Sequence, residues 1–234
     1  MIRHASKGLA AVLALGAVKA AGAQDMRLSR QLDAATAARV SAIVDHARAV
    51  SLPTEPLIDK ALEGSRKGAQ PARIVEAVSA LAARLDSTRA ALGAASSESE
   101  LVAGASVLQA GVRSGVLRDL RVARAGKSLA VPLVVLGDLV SRGVPSDTAG
   151  ALVLLVAREG LGDETLLAIQ RDVQRDVREG AHPAAAAAIR ARGAVSGGGT
   201  RLRPVRGPVT AGASSLAPGV ASHPTSTKPL ITGY

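Results

Sequence analysis

The sequence predicts an all-α domain of successive helical hairpins, stacked like a solenoid or gathered into an irregular bundle, with a disordered C-terminal tail. Three observations predict it. Apolar residues recur at helical spacing from residue 25 to 192, and Gly and Pro punctuate that stretch at intervals of one helix. The aromatic side chains that commonly fill sandwiches and barrels are missing: of 234 residues none is Phe or Trp, and the one Tyr is Tyr234. A core of Leu, Val, Ile and Ala favours closely approaching helices. It also offers no stacking platform for bases or sugars, which counts against single-strand nucleic-acid binding and carbohydrate clefts.

The first helix is expected from Arg27 to Val50, with Leu28, Leu32, Val40, Ile43, Val44 and Ala47 on one side, and Ser51-Leu52-Pro53 stops it. Thr54 is expected to cap a second helix bearing Leu57, Ile58, Ala61 and Leu62, which Gly64 loosens and Gly68 ends. Pro71 suits a first helical position, where its missing N–H costs nothing, and Ile74, Val78, Leu81, Leu85 and Leu92 follow up to Gly93. Ser97 with Glu100 is a capping box that opens a helix carrying Leu101, Ala105, Leu108 and Val112. A short helix spans Val116 to Ala125, and Ser128 opens the next, with Pro132 tolerable in its first turn. Within it, Leu133 to Leu136 also fits a buried strand. Gly143-Val144-Pro145 ends that segment, and Ser146 and Asp163 are expected to cap the two helices that follow. The second of these carries Leu166, Ile169, Val173 and Val177, and Pro183 starts a last Ala-rich helix that stops at Gly193.

Two segments, about 52–86 and 144–178, match without a gap at an offset of 92 residues. Pro53, Thr54, Glu55 and Gly68 fall on Pro145, Ser146, Asp147 and Gly160; Ile74, Leu81 and Leu85 fall on Leu166, Val173 and Val177. The connectors recur as well, Lys67 to Pro71 resembling Glu179 to Pro183. Duplicated hairpins with one apolar stripe must stack on neighbours to bury it.

Residues 1–23 read as a secretory signal peptide. Arg3, His4 and Lys7 precede an apolar run from Gly8 to Val18, and Ala21 and Ala23 place cleavage before Gln24. The run falls short of the roughly 20 residues a membrane span needs. No transmembrane segment is expected in the mature chain. With no Cys, neither a disulfide nor a thiolate metal site is possible.

The net charge of +10 is unevenly placed. Residues 24–189 hold 20 basic and 19 acidic side chains, while 1–23 and 190–234 hold bases and no acid. The domain, residues 24–192, is therefore nearly neutral, which makes nucleic acid an unlikely partner. Residues 193–234, rich in Gly, Pro and Ser, cannot bury enough apolar surface to order themselves. Arg201, Arg203 and Arg206 in that tail are the candidate contacts for an anionic surface, weak and salt-sensitive.

Candidate chemistry is sparse. His46, His182 and His223 share no spacing with Ser or Asp that suggests a triad, nor with one another that suggests zinc. The carboxylate pairs Asp59/Glu63 and Asp172/Asp176 lie at i and i+4, but Lys60, Arg66 and Lys67 flank the first, and Arg171, Arg175 and Arg178 the second. That pattern is expected of solvated helix faces laced with ion pairs. No catalytic, metal or cofactor-binding residue is expected, and no cofactor. The function expected is an exported scaffold, periplasmic, envelope-bound or extracellular, that binds a protein or envelope polymer. The alternative is an exported enzyme with a carboxylate site acting on a cell-envelope polymer.

Overall fold

Asp33 divides the first expected helix in two. Its side chain accepts the Thr36 N–H at 2.9 Å and the Thr36 hydroxyl at 2.6 Å, so a new helix starts at the next residue. The computed structural model describes residues 26–196, and every regular element among them is helical. The order is α1 (residues 26–29), α2 (Ala34–Ala49), α3 (Glu55–Arg66), α4 (Pro71–Leu92), α5 (Glu98–Gln109), α6 (Ser114–Ala123), α7 (Ala130–Ser141), α8 (Ser146–Arg158), α9 (Asp163–Arg178) and α10 (Pro183–Ser196).

The starts follow the sequence in some places and depart in others. Pro71 and Pro183 open α4 and α10, and the Ser97–Glu100 capping box is complete at α5. Thr54 precedes α3 but its hydroxyl caps nothing, because its backbone is already helical (φ −95°, ψ −32°) rather than extended. Ser146 and Asp163 are first helical residues, with Pro145 and Gly162 at the capping positions. Leu133 to Leu136 is helical, inside α7. The last helix runs past Gly193 to Ser196.

Helix ends depend on left-handed residues, and the sequence supplies Gly for nearly all of them. The exception is Ser51, at φ 58°, where the Leu52 N–H reaches back to the Ala47 carbonyl at 2.8 Å and closes α2.

The helices pack in two rows. One row runs α2, α4, α6, α8, α10, each against the next; α5, α7 and α9 form the other. The main contacts therefore join helices one or two apart in the chain, as in stacked hairpins. Two apolar clusters result. Leu28, Val40, Leu57, Ile58, Val78 and Leu85 belong to the first, and Leu117, Leu133, Leu136, Val153, Leu166 and Val173 to the second. Helix α5 belongs to both, sending Leu101 and Ala105 into the first and Val107 into the second. The lack of aromatics is met by close approach. A Cβ on Gly104 of α5 would lie 2.4 Å from Thr88 Cγ2 of α4, so only Gly fits that crossing.

The 92-residue match carries over into burial for its first helices, since Leu57, Ile58 and Ala61 correspond to Ala149, Gly150 and Val153, all buried. The second helices differ: Val75 is buried and Leu167 exposed, while Leu81 is half-buried and Val173 buried. Packing explains the difference. Helices α3 and α4 pack along their length, whereas α8 and α9 barely touch and α9 packs on α10. The recurring connector marks the alternative correspondence, α3–α4 with α9–α10, offset by 112 residues. There Leu57, Ala61, Ile74, Val75 and Val78 fall on Ile169, Val173, Ala186, Ala187 and Arg190, all buried.

Candidate functional site

The two carboxylate pairs of the sequence part company in the structure. Asp59 is exposed and lies 3.4 Å from Arg27, whose guanidinium also pairs with Glu55. Glu63 sits between Lys60 at 3.0 Å and Lys67, and these two ammonium groups hold its carboxyl down at about 2. This is the solvated, ion-paired face expected.

In the second pair Asp172 is partly exposed and pairs with Arg175 at 2.5 Å, as expected, but Asp176 is not on a solvated face. Asp176 is 0% exposed, and so is its partner Arg190 from α10. Arg190 Nε and Nη2 donate to Asp176 Oδ2 and Oδ1, both at 2.6 Å, and Nη1 lies 3.6 Å from Asp172. The hydrogen bonds to Asp176 raise the Arg190 pKa above its already high value despite burial. Arg190, which the sequence groups with the acid-free C-terminal segment, is thus neutralised inside the fold. At the 112-residue offset, Gly64, Ile74 and Val78 of α3–α4 stand where α9–α10 has Asp176, Ala186 and Arg190.

A second polar cluster centres on Glu100, 4% exposed. Its carboxylate accepts the N–H of Ser97 at 2.9 Å and of Leu129 at 2.6 Å, and Arg121 lies 3.1 Å away. Burial pushes this carboxyl up, but the Leu129 and Ser97 N–H groups together with Arg121 outweigh it and hold it below the usual glutamate value. Arg121 is itself spent on the Leu92 and Lys127 carbonyls, both at 3.1 Å. The cluster ties the α4–α5 and α6–α7 connections to α5 and α6, and its charged groups are engaged with one another or with the backbone. His46 and His182 are exposed and far apart in the chain. Among the described residues no three of His, Asp and Glu gather as metal ligands, and no helix is long and apolar enough to cross a membrane.

A groove of about 640 Å³ lies between α5 and α7. Ala103, Ser106 and Ala110 form one wall, Val134, Gly137 and Ser141 the other, with Val107 and Leu133 beneath and Gln109 at the edge. The walls follow i, i+3, i+7 spacing, so each is one strip of a helix. No lining residue is charged. Helix α7 is apolar nearly all round because α5, α8 and α9 enclose it. Its outer strip nevertheless reaches solvent, where Val134 is 57% exposed.

Periodicity alone did not reveal this groove, because it shows each strip but not that the two are neighbours. The sequence signal for it is Gly137, a glycine in the middle of α7. The cleavage residues Ala21, Ala23 and Gln24, the tail arginines Arg201, Arg203 and Arg206, and His223 lie outside the described residues. No known protein family matches this chain, and neither does any curated protein or solved structure.

Proposed function

We propose that the chain is an exported helical scaffold that binds another macromolecule, a protein or an envelope polymer, through the strip between α5 and α7. The observation that carries this is the groove between α5 and α7: none of its lining residues is charged, and Val134 at its rim is 57% exposed. Stacked hairpins commonly bind along such extended faces. The enzyme alternative has less in its favour, since each carboxylate pair is already engaged by Arg or Lys. Export rests on the order of charged, apolar and small residues before Gln24. Sequencing the N-terminus of protein made in a Gram-negative host tests it: Gln24 is expected, and intact Met1 in the cytoplasm overturns it. For the tail, Arg201, Arg203 and Arg206 support weak contact with anionic surfaces; changing all three to Ser should abolish vesicle binding at low salt.

The scaffold reading is tested by placing a photoreactive residue at Val134, and separately at Val122 on α6, in producing cells. Both side chains are exposed, Val122 at 80%, but α6 belongs to the other row. Adducts at position 134 that disappear with Gly137→Leu are expected. Adducts at 122 with none at 134 would refute the reading.

A further inference from the structure

Ser51 stands where the fold elsewhere uses glycine. Every other residue with positive φ among the described residues is Gly. Ser51, at φ 58°, keeps a side chain in a backbone conformation that costs an L residue energy. Such outliers persist only where their surroundings hold them, and they gather at binding sites. Here the hold comes from Arg89 in the last turn of α4, whose Nη2 donates to the Ser51 carbonyl at 2.7 Å. The Ser51 hydroxyl has no hydrogen-bond partner among the described residues, and neither has that of Thr54.

Both hydroxyls border a pocket of about 330 Å³ between the α2–α3 turn, the end of α4 and the start of α5. It shares no lining residue with the α5–α7 groove. Its size falls at the small end of the roughly 300–1,000 Å³ typical of small-molecule sites. Buried Leu52, Pro53 and Leu101 give it an apolar base. Two charges of opposite sign also line it. Arg89 has no carboxylate partner among the described residues, and its Nε is buried without a hydrogen bond. Glu98 has no cation paired with it among the described residues, since Arg48 at the same pocket pairs with Asp45. An acid in the first turn of α5 suits the helix dipole, but the dipole does not account for an Arg and a Glu that line one pocket without pairing.

That charge pattern selects the occupant. Phosphate suits Arg89 but is repelled by Glu98, and a lone ammonium meets the reverse. A molecule with one carboxylate and one ammonium satisfies both, and its alkyl part can rest on the apolar base.

We propose that this pocket binds a zwitterionic α-amino acid with an apolar side chain. The Arg89 guanidinium pairs with the carboxylate, the Ser51 and Thr54 hydroxyls donate to it, and the ammonium donates to Glu98. Ser51 is kept for its hydroxyl, at a cost in stability. The site is separate from the macromolecule-binding strip and does not depend on that reading.

Isothermal titration calorimetry of the full chain with L-leucine tests this. Three further probes are isocaproate, which lacks the ammonium, isoamylamine, which lacks the carboxylate, and inorganic phosphate. Leucine should saturate one site at millimolar concentration or below, and bind about tenfold or more tighter than any of the three. Arg89→Met should weaken leucine binding by about tenfold or more. Ser51→Gly should weaken it by about threefold or more while raising the thermal midpoint, a combination that a purely structural Ser51 does not give. Glu98→Gln should erase the preference for leucine over isocaproate. Should Arg89→Met fail to fold, Arg89→Lys keeps a donor for the Ser51 carbonyl without the planar fork, and a loss of affinity is again expected. Leucine that does not saturate overturns the proposal, as does binding indifferent to both Arg89 and Ser51. So does phosphate or isocaproate binding as tightly as leucine, since the pocket is then a plain anion site.

Discussion

Removing Arg190 should be among the most damaging single changes in the domain. Its guanidinium and the Asp176 carboxylate are both 0% exposed and share two hydrogen bonds of 2.6 Å, the main polar tie between α9 and α10. Arg190→Met would leave Asp176 buried without that partner, which costs about 3–5 kcal/mol. Asp176→Leu should cost less, toward 3 kcal/mol, because Arg190 can shift toward Asp172, already 3.6 Å away. The double variant should recover most of the loss and approach wild type, since an apolar pair avoids the desolvation that an ion pair incurs. The matching positions in α3–α4, Gly64 and Val78, already use an apolar solution. Urea unfolding of the four proteins yields the coupling, expected to be about 3 kcal/mol or more. A coupling below about 1 kcal/mol would show that the pair does not hold the hairpin.

Three further outcomes are expected. Leu85→Ala, at a fully buried position, should cost about 2–5 kcal/mol, and Leu81→Ala less than half of that because Leu81 is only half-buried; equal costs by thermal unfolding would contradict the burial pattern. Ser51→Gly should stabilise the chain by about 1 kcal/mol, since Ser51 holds a left-handed conformation that Gly adopts without strain, and a loss of stability would contradict this. Glu100 contributes stability above the ordinary glutamate pKa and loses it as pH falls toward its depressed folded value. The stability gap between wild type and Glu100→Gln should therefore narrow in acid, and a gap constant from neutral pH downward would refute that role.

The sequence made the helical class legible because its punctuation is local. Pro71 and Pro183 open helices, and Ser97 with Glu100 forms its box, all through contacts within one turn. Asp33 was a local signal too, hidden inside a longer apolar pattern that read as one helix. The strand alternative at Leu133 to Leu136 arose because enclosure by α5, α8 and α9 makes α7 apolar on almost every side, which erases the helical period. The Asp176–Arg190 pair spans 14 residues across a turn, beyond the i,i+4 neighbours that charge patterning detects. Burial departs from the 92-residue match at Val75/Leu167 and Leu81/Val173 for the same reason: stripe similarity does not tell whether α9 faces α8 or α10. The groove needed the pairing of α5 with α7, which only the tertiary arrangement supplies.

A working interface on the strip around Val134 would shield that residue in producing cells. The chain has no Cys, so Val134→Cys and Val122→Cys each create a single thiol that can be alkylated in intact producing cells. Val122 should label fully and Val134 slowly, with the difference vanishing once the cells are dissolved in denaturant. Equal, rapid labelling at both positions in intact cells would contradict that interface.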